Sequence, residues 1–196
     1  GRRRLALEIN AATGTRTFAV PVVPFEEAIA DIIKRHPAVA PGWEATRDVY
    51  LDGGFAIARS SRIEVTQQVQ TQITRAMQGG ATGQDAISEI LAAVQAQGTD
   101  DPIAAEWTYT GGYAETVYRT NIASSYTQGR INQAADPVFR RQVAGWEFRN
   151  YPGPNVRPNH AAMHGFVAAT SDPIWHTMAP PLGYNCRCSL EFVGQK

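Results

Sequence analysis

The sequence predicts an α+β fold, with a predominantly helical N-terminal two-thirds followed by a small mixed module with two or three β-strands. Two observations carry this. Up to residue 135 the apolar side chains recur mostly at spacings of three and four, the period of a helix buried along one face. From Gln142 to Asn150 the texture changes, with Val143, Gly145 and Glu147 alternating against Trp146 and Phe148 as in a strand. Three segments follow. Residues 1–23 form an extended N-terminal arm, 24–112 a helical region, and 113–196 a motif-bearing module continuous with it as one domain.

In order along the chain, Thr15–Val23 is β-prone but interrupted by Pro21, which suits an extended arm. Pro24 opens a helix at a first-turn position, with Glu26 and Glu27 favouring its N-terminal dipole. Phe25, Ile29, Ile32 and Ile33 give it an apolar face, and His36-Pro37 stops it. Trp43 to Gln78 reads as the longest helical tract, bent or broken at Gly53-Gly54. Its apolar face is Phe55, Ile57, Ile63, Val65, Val69, Ile73 and Met77; its polar face holds Gln67, Gln68, Gln70 and Gln72. Gly79-Gly80 ends it. Thr82 caps a helix through Ile87, Ile90, Leu91 and Val94 that ends at Gly98. A further helical segment starts at Asp100-Asp101-Pro102, and another runs from Tyr113 to Ala135, closed by Asp136-Pro137. After the first strand and a Pro/Gly loop at 152–154, a short helix is expected around Pro158–His164. Loop then runs through Pro180-Pro181, and a second strand spans Asn185–Val193.

The chain has 196 residues, 43% of them hydrophobic and 18% charged, which describes a globular protein. Lys+Arg and Asp+Glu stand at 18 each, so net charge does not point to nucleic acid. No apolar run approaches the roughly 20 residues of a membrane helix, and no signal-peptide core is visible. Two cysteines do not make a disulfide framework, which fits a reducing cytosolic compartment.

Chemistry-bearing residues crowd into Trp146–Phe192, which holds both cysteines and three of the four histidines. His160 and His164 stand four apart, so on one helix their rings share a face. Cys186 and Cys188 stand two apart, so in an extended chain their sulfurs share a face. His160, His164, Cys186 and Cys188 make a His2Cys2 set of the composition that holds structural zinc. The plainer alternative makes the cysteines small buried hydrophobes and His160 a hydrogen-bonded core residue. Catalytic readings fare worse. His160-Ala-Ala-Met-His164 has metalloprotease histidine spacing but lacks the general-base glutamate. A nuclease or toxin-like effector using His160, His164 and Arg157 has suitable residue types for phosphodiester chemistry. Arg119 and Arg130, eleven apart, lie on one side of their helix. They either contact an anion or partner, or hold the helix to the strand module; the second is preferred.

Several motifs in fixed order carry a resemblance: Tyr118-Arg119-Thr120-Asn121; Tyr126-x-x-Gly129-Arg130; the strand Trp146–Phe148; Arg157-Pro158-x-His160-x-x-Met163-x-Gly165; Trp175; and Pro180-Pro181-x-Gly183-Tyr184-Asn185-Cys186-Arg187-Cys188. Together they resemble the phage Mu F-type head morphogenesis family of minor head or minor capsid proteins. The match is specific over about 113–192 and looser in the helical half. The resemblance implies a structural, non-enzymatic minor head protein of a phage or prophage, acting in procapsid assembly and DNA packaging. It further implies association with the portal and with capsid or scaffold subunits, possible contact with DNA, and residence in the virion after assembly in the host bacterial cytoplasm. Some members carry an added C-terminal toxin or nuclease domain, which is not expected here. One departure stands out. Relatives commonly have acidic residues just before the Arg-Pro-x-x-His segment, where this chain has Tyr151-Pro152-Gly153-Pro154-Asn155.

Overall fold

Helix α1 (Glu26–Lys34) has Glu26 and Glu27 in its first turn and Lys34 in its last, the polarity its dipole favours. Its buried stripe is Ala28, Ile29 and Ile32. The computed structural model describes residues 7–9, 16–18, 25–58, 60, 62–96, 110–151, 153 and 156–194. Within the expected N-terminal arm, strands β1 (Leu7–Ile9) and β2 (Arg16–Phe18) form an antiparallel hairpin. The remainder of that arm, and the helical segment expected from Asp100, lie outside the described residues.

The tract expected as one broken helix from Trp43 to Gln78 is instead helix, strand, helix. Strand β3 (His36–Ala40) leads into α2 (Trp43–Leu51), and β4 (Gly54–Ala58) returns parallel to β3 with His36 opposite Gly54. Phe55 and Ile57 therefore sit on a strand. Phe55, Ala56 and Ile57 are all buried, so this strand is covered on both faces and shows no alternation. A short apolar run of that kind cannot be told from buried helix by period. Gly53, at φ +71, supplies the turn that a side chain would resist.

Helix α3 (Ile63–Met77) buries Val65, Val69, Ile73 and Met77 at steps of four, as the pattern predicts. Gln70 departs from its expected place on the polar face. Its amide donates to the carbonyls of Ile32 (2.7 Å) and Arg35 (2.8 Å), satisfying the C-terminal end of α1. Helix α4 (Gly83–Gln95) begins with a reciprocal capping box between Thr82 and Asp85. Helix α5 (Gly111–Ala135) supplies Ala114 and Val117 to the helical core, and Ala134 and Ile131 to a second core over the sheet. It crosses α1 at Gly129. A Cβ there would stand 2.7 Å from the Ala28 nitrogen, so only glycine allows the approach.

Helix α6 (Pro137–Arg140) is capped by Asp136, whose carboxylate accepts from the Val138 and Phe139 amides. Strand β5 (Val143–Arg149) follows as the centre of a three-stranded antiparallel sheet. Strand β6 (Val167–Ala169) lies on one side of it and β7 (Ser189–Gly194) on the other. Helix α7 (Pro158–Ala162) is shorter than expected, and β7 starts later than Asn185. The stretch expected as loop contains β6 and α8 (Trp175–Met178), both too short to show a period. The α+β class stands as predicted.

Candidate metal centre

Two irregular segments meet beneath the sheet. Pro158 sits in the first turn of α7, where its missing N–H costs nothing, and one turn of helix carries His160 inward to 3% exposure. From the other side comes the chain after Pro181. Asn185 adopts φ 56 in a turn, and the Cys186 amide donates to the Gly183 carbonyl (3.2 Å). Cys186 and Cys188 are buried while Arg187 between them is exposed. That is the alternation of extended chain, and it turns both sulfurs the same way, as their spacing predicts.

The imidazole stands between the two sulfurs. His160 Nδ1 lies 3.6 Å from Cys186 Sγ and 3.6 Å from Cys188 Sγ, and the three ligand atoms fall within 4.8 Å of one another. Zinc bonds of about 2.3 Å to sulfur and about 2.05 Å to nitrogen, meeting at the tetrahedral angle, separate S and N by about 3.6 Å. The observed edges match that length. Both cysteines are free. The pair favours one thiolate. A hydrogen bond from Cys188 draws the Cys186 sulfur down to about 5 against the opposing cost of burial, and the same bond, with burial, pushes Cys188 up.

His164 does not join them. Helix α7 ends at Ala162, and Gly165 at φ +81 redirects the chain. Two histidines four apart share a face only while the helix continues. His164 is exposed, and its Nδ1 accepts from the Asn150 amide (3.1 Å). The group therefore holds three of the four expected residues.

Arg157 is exposed at the rim. Its guanidinium packs 3.4–3.5 Å from the position a Cβ on Gly183 would take, and it donates to the Tyr184 carbonyl (3.1 Å). Of the two arginines on α5, one makes the contact with the strand module and the other is ion-paired within the helix. Arg130 donates to the Leu190 carbonyl and pairs with Glu191 (3.0 Å), fastening the helix to β7. Arg119 pairs with Glu115 on its own helix.

Two features escaped the sequence reading. Arg35 is buried, held by Asp31 (2.6 Å) and by Ser124 (2.9 Å), and lies over the Tyr50 ring. The Asp31/Arg35 spacing of four was a legible signal. Asn150 is also buried, yet its Nδ2 has no hydrogen-bond partner. Nothing in the local pattern marks it.

The family profile described as Phage Mu protein F like protein matches residues 67–191. Over 178 residues the chain is 25% identical to "Putative capsid assembly protein F" of Escherichia phage Mu, covering 86% of this chain and 40% of that protein. Over 80 residues it is 32% identical to the Mu-like prophage FluMu F protein of Haemophilus influenzae, covering 41% of this chain and 19% of that protein. The chain thus spans less than half the length of these relatives. No solved structure gives a significant match.

Proposed function

This chain belongs to the Phage Mu protein F-like family, and from that premise we propose that it serves structurally in phage or prophage head assembly. The observation that carries the reading is the 178-residue similarity to the phage Mu protein named for capsid assembly. The disposition of the motif residues supports a structural role. Gly129 admits α1, Arg130 fastens β7, Arg157 covers Gly183, and His160 faces two buried sulfurs. Most of the residues that first suggest chemistry are thus engaged in packing.

In finer terms the protein is a minor component of the procapsid, assembled in the host cytoplasm and retained in the virion. It acts at the portal during DNA packaging, contacts portal and capsid or scaffold subunits, and lies close to DNA. No described helix is long and apolar enough to cross a membrane. Exposed Gln67 and Gln68 on α3 are the contact face we assign to the portal. Co-purification with the portal protein of the same phage tests this. Association weakened by Gln67→Glu/Gln68→Glu is the expected result, and absence of association during head assembly would sink it.

His160, Cys186 and Cys188 act as a structural zinc clamp, with His164 outside it. The nuclease alternative is disfavoured because His160 is buried against sulfur and His164 receives a backbone amide. A general base must reach its substrate's proton. Incubation with RNA and DNA, with and without divalent metal, should leave both intact; cleavage lost in His160→Ala would reverse the ranking.

A further inference from the structure

A cavity of about 170 Å³ opens beside the Cys/His group, lined in part by Asn150, Arg157, His160, Tyr184 and Arg187. It is smaller than the roughly 300 Å³ at which drug-sized ligand pockets begin. Two of its lining residues carry buried polar atoms without a partner: Asn150 Nδ2, on a residue 7% exposed, and His160 Nε2, on a residue 3% exposed. Orphaned buried polar atoms are rare because each forfeits its hydration for nothing.

The two orphans have the same sign. An amide NH2 can only donate. His160 directs Nδ1 at the sulfurs, and an ion held there fixes the remaining ring proton on Nε2, making it a donor as well. Arg157 and Arg187 are among the lining residues, as are Cys186 and Cys188, and none of the described lining residues is an aspartate or glutamate. Two orphaned donors beside the Arg157 guanidinium, with no carboxylate among the described lining residues, favour a small species that accepts hydrogen bonds.

We propose that this cavity binds an oxyanion, carboxylate or phosphate, through Asn150 Nδ2, His160 Nε2 and the Arg157 guanidinium. The His160 part rests on the zinc reading; the Asn150 and Arg157 parts do not. An oxyanion gives each orphan an acceptor and is drawn in by the arginines. It could be a free ion or a group presented by an assembly partner, and the two share this chemistry.

Asn150→Ala provides the test, because the Nδ2 donor it removes has no protein partner. Melting temperature is measured for wild type and Asn150→Ala in inorganic phosphate, in acetate, and in chloride at matched ionic strength, with zinc content determined on the same samples. The expected result is a saturable rise of several degrees for wild type in phosphate or acetate over chloride, at least halved in Asn150→Ala. Phosphate alone acting favours a phosphoryl group, and acetate alone a carboxylate; either supports the site. Equal curves in all three salts, or equal rises in both proteins, overturn it. Zinc present with no rise removes the oxyanion site alone. A rise dependent on Asn150 without zinc keeps the site and removes the metal.

Discussion

In the helical core, Ile32, Phe55, Ile57, Val69, Ile73 and Ile90 reach near-complete burial through hydrocarbon alone. In the core over the three-stranded sheet, Trp146, Phe148 and Leu190 do so beside two cysteine sulfurs, with an imidazole behind them. Apart from Phe55 and Ile57 on β4, the first rests on helices long enough to display a continuous stripe. The second is assembled from strands of seven, three and six residues and two single-turn helices, which offer little apolar area. Small modules that cannot close a core with hydrocarbon commonly use a metal or disulfide instead. Cys186 and Cys188 are buried members of that second core.

The largest expected effect separates the two cores. Structural zinc contributes binding free energy on the order of 10 kcal/mol at neutral pH. With one zinc per chain, a strong chelator should abolish the near-ultraviolet signal of Trp146 and Trp175 while most far-ultraviolet helicity survives. Simultaneous loss of both signals would make the cores one cooperative unit and erase the contrast. Next come matched truncations of two fully buried rings, one from each core. Phe55→Ala and Phe148→Ala should each cost about 3–5 kcal/mol in urea titrations. Only Phe148→Ala should also reduce retained zinc.

Gly129→Ala probes the seam where α5 serves both cores. Alanine gains up to about 1 kcal/mol of helix propensity over glycine. Its methyl would nevertheless meet the α1 backbone at 2.7–2.9 Å, and overpacking costs about 1–3 kcal/mol, so the net change should be destabilising. A more stable variant would show that α1 can shift freely. The smallest effect belongs to Glu191. Burial pushes its carboxyl up, but hydrogen bonds from Ser189 and Arg130 and the Arg130 charge together hold it below its usual 4.5. A depressed carboxylate stabilises above the unfolded value and loses that contribution as pH falls through the folded one. The stability difference between wild type and Glu191→Gln should therefore be greatest near neutrality, begin to shrink as pH falls towards 4.5, and vanish only below the lower folded value. Solvent screening limits it to about 1 kcal/mol or less.

Helix α3 was legible because a stripe at 65, 69, 73 and 77 needs no knowledge of what covers it. The Thr82 cap was legible too, since its partners are its own next residues. Strand β4 was hidden, because burial on both faces erases alternation. Gln70 was misplaced, because its bonds run to the end of another helix.

The Cys/His group divides along the same line. The sequence by itself determined that Cys186 and Cys188 face together, since extended chain alternates whatever surrounds it. Only the tertiary structure decided that His160 enters the group while His164 leaves it. That choice depends on α7 ending at Ala162, and on a loop more than twenty residues away in sequence bringing sulfur to the imidazole. Spacing fixes direction along one element; what lies at the end of that direction is set by the packing of others.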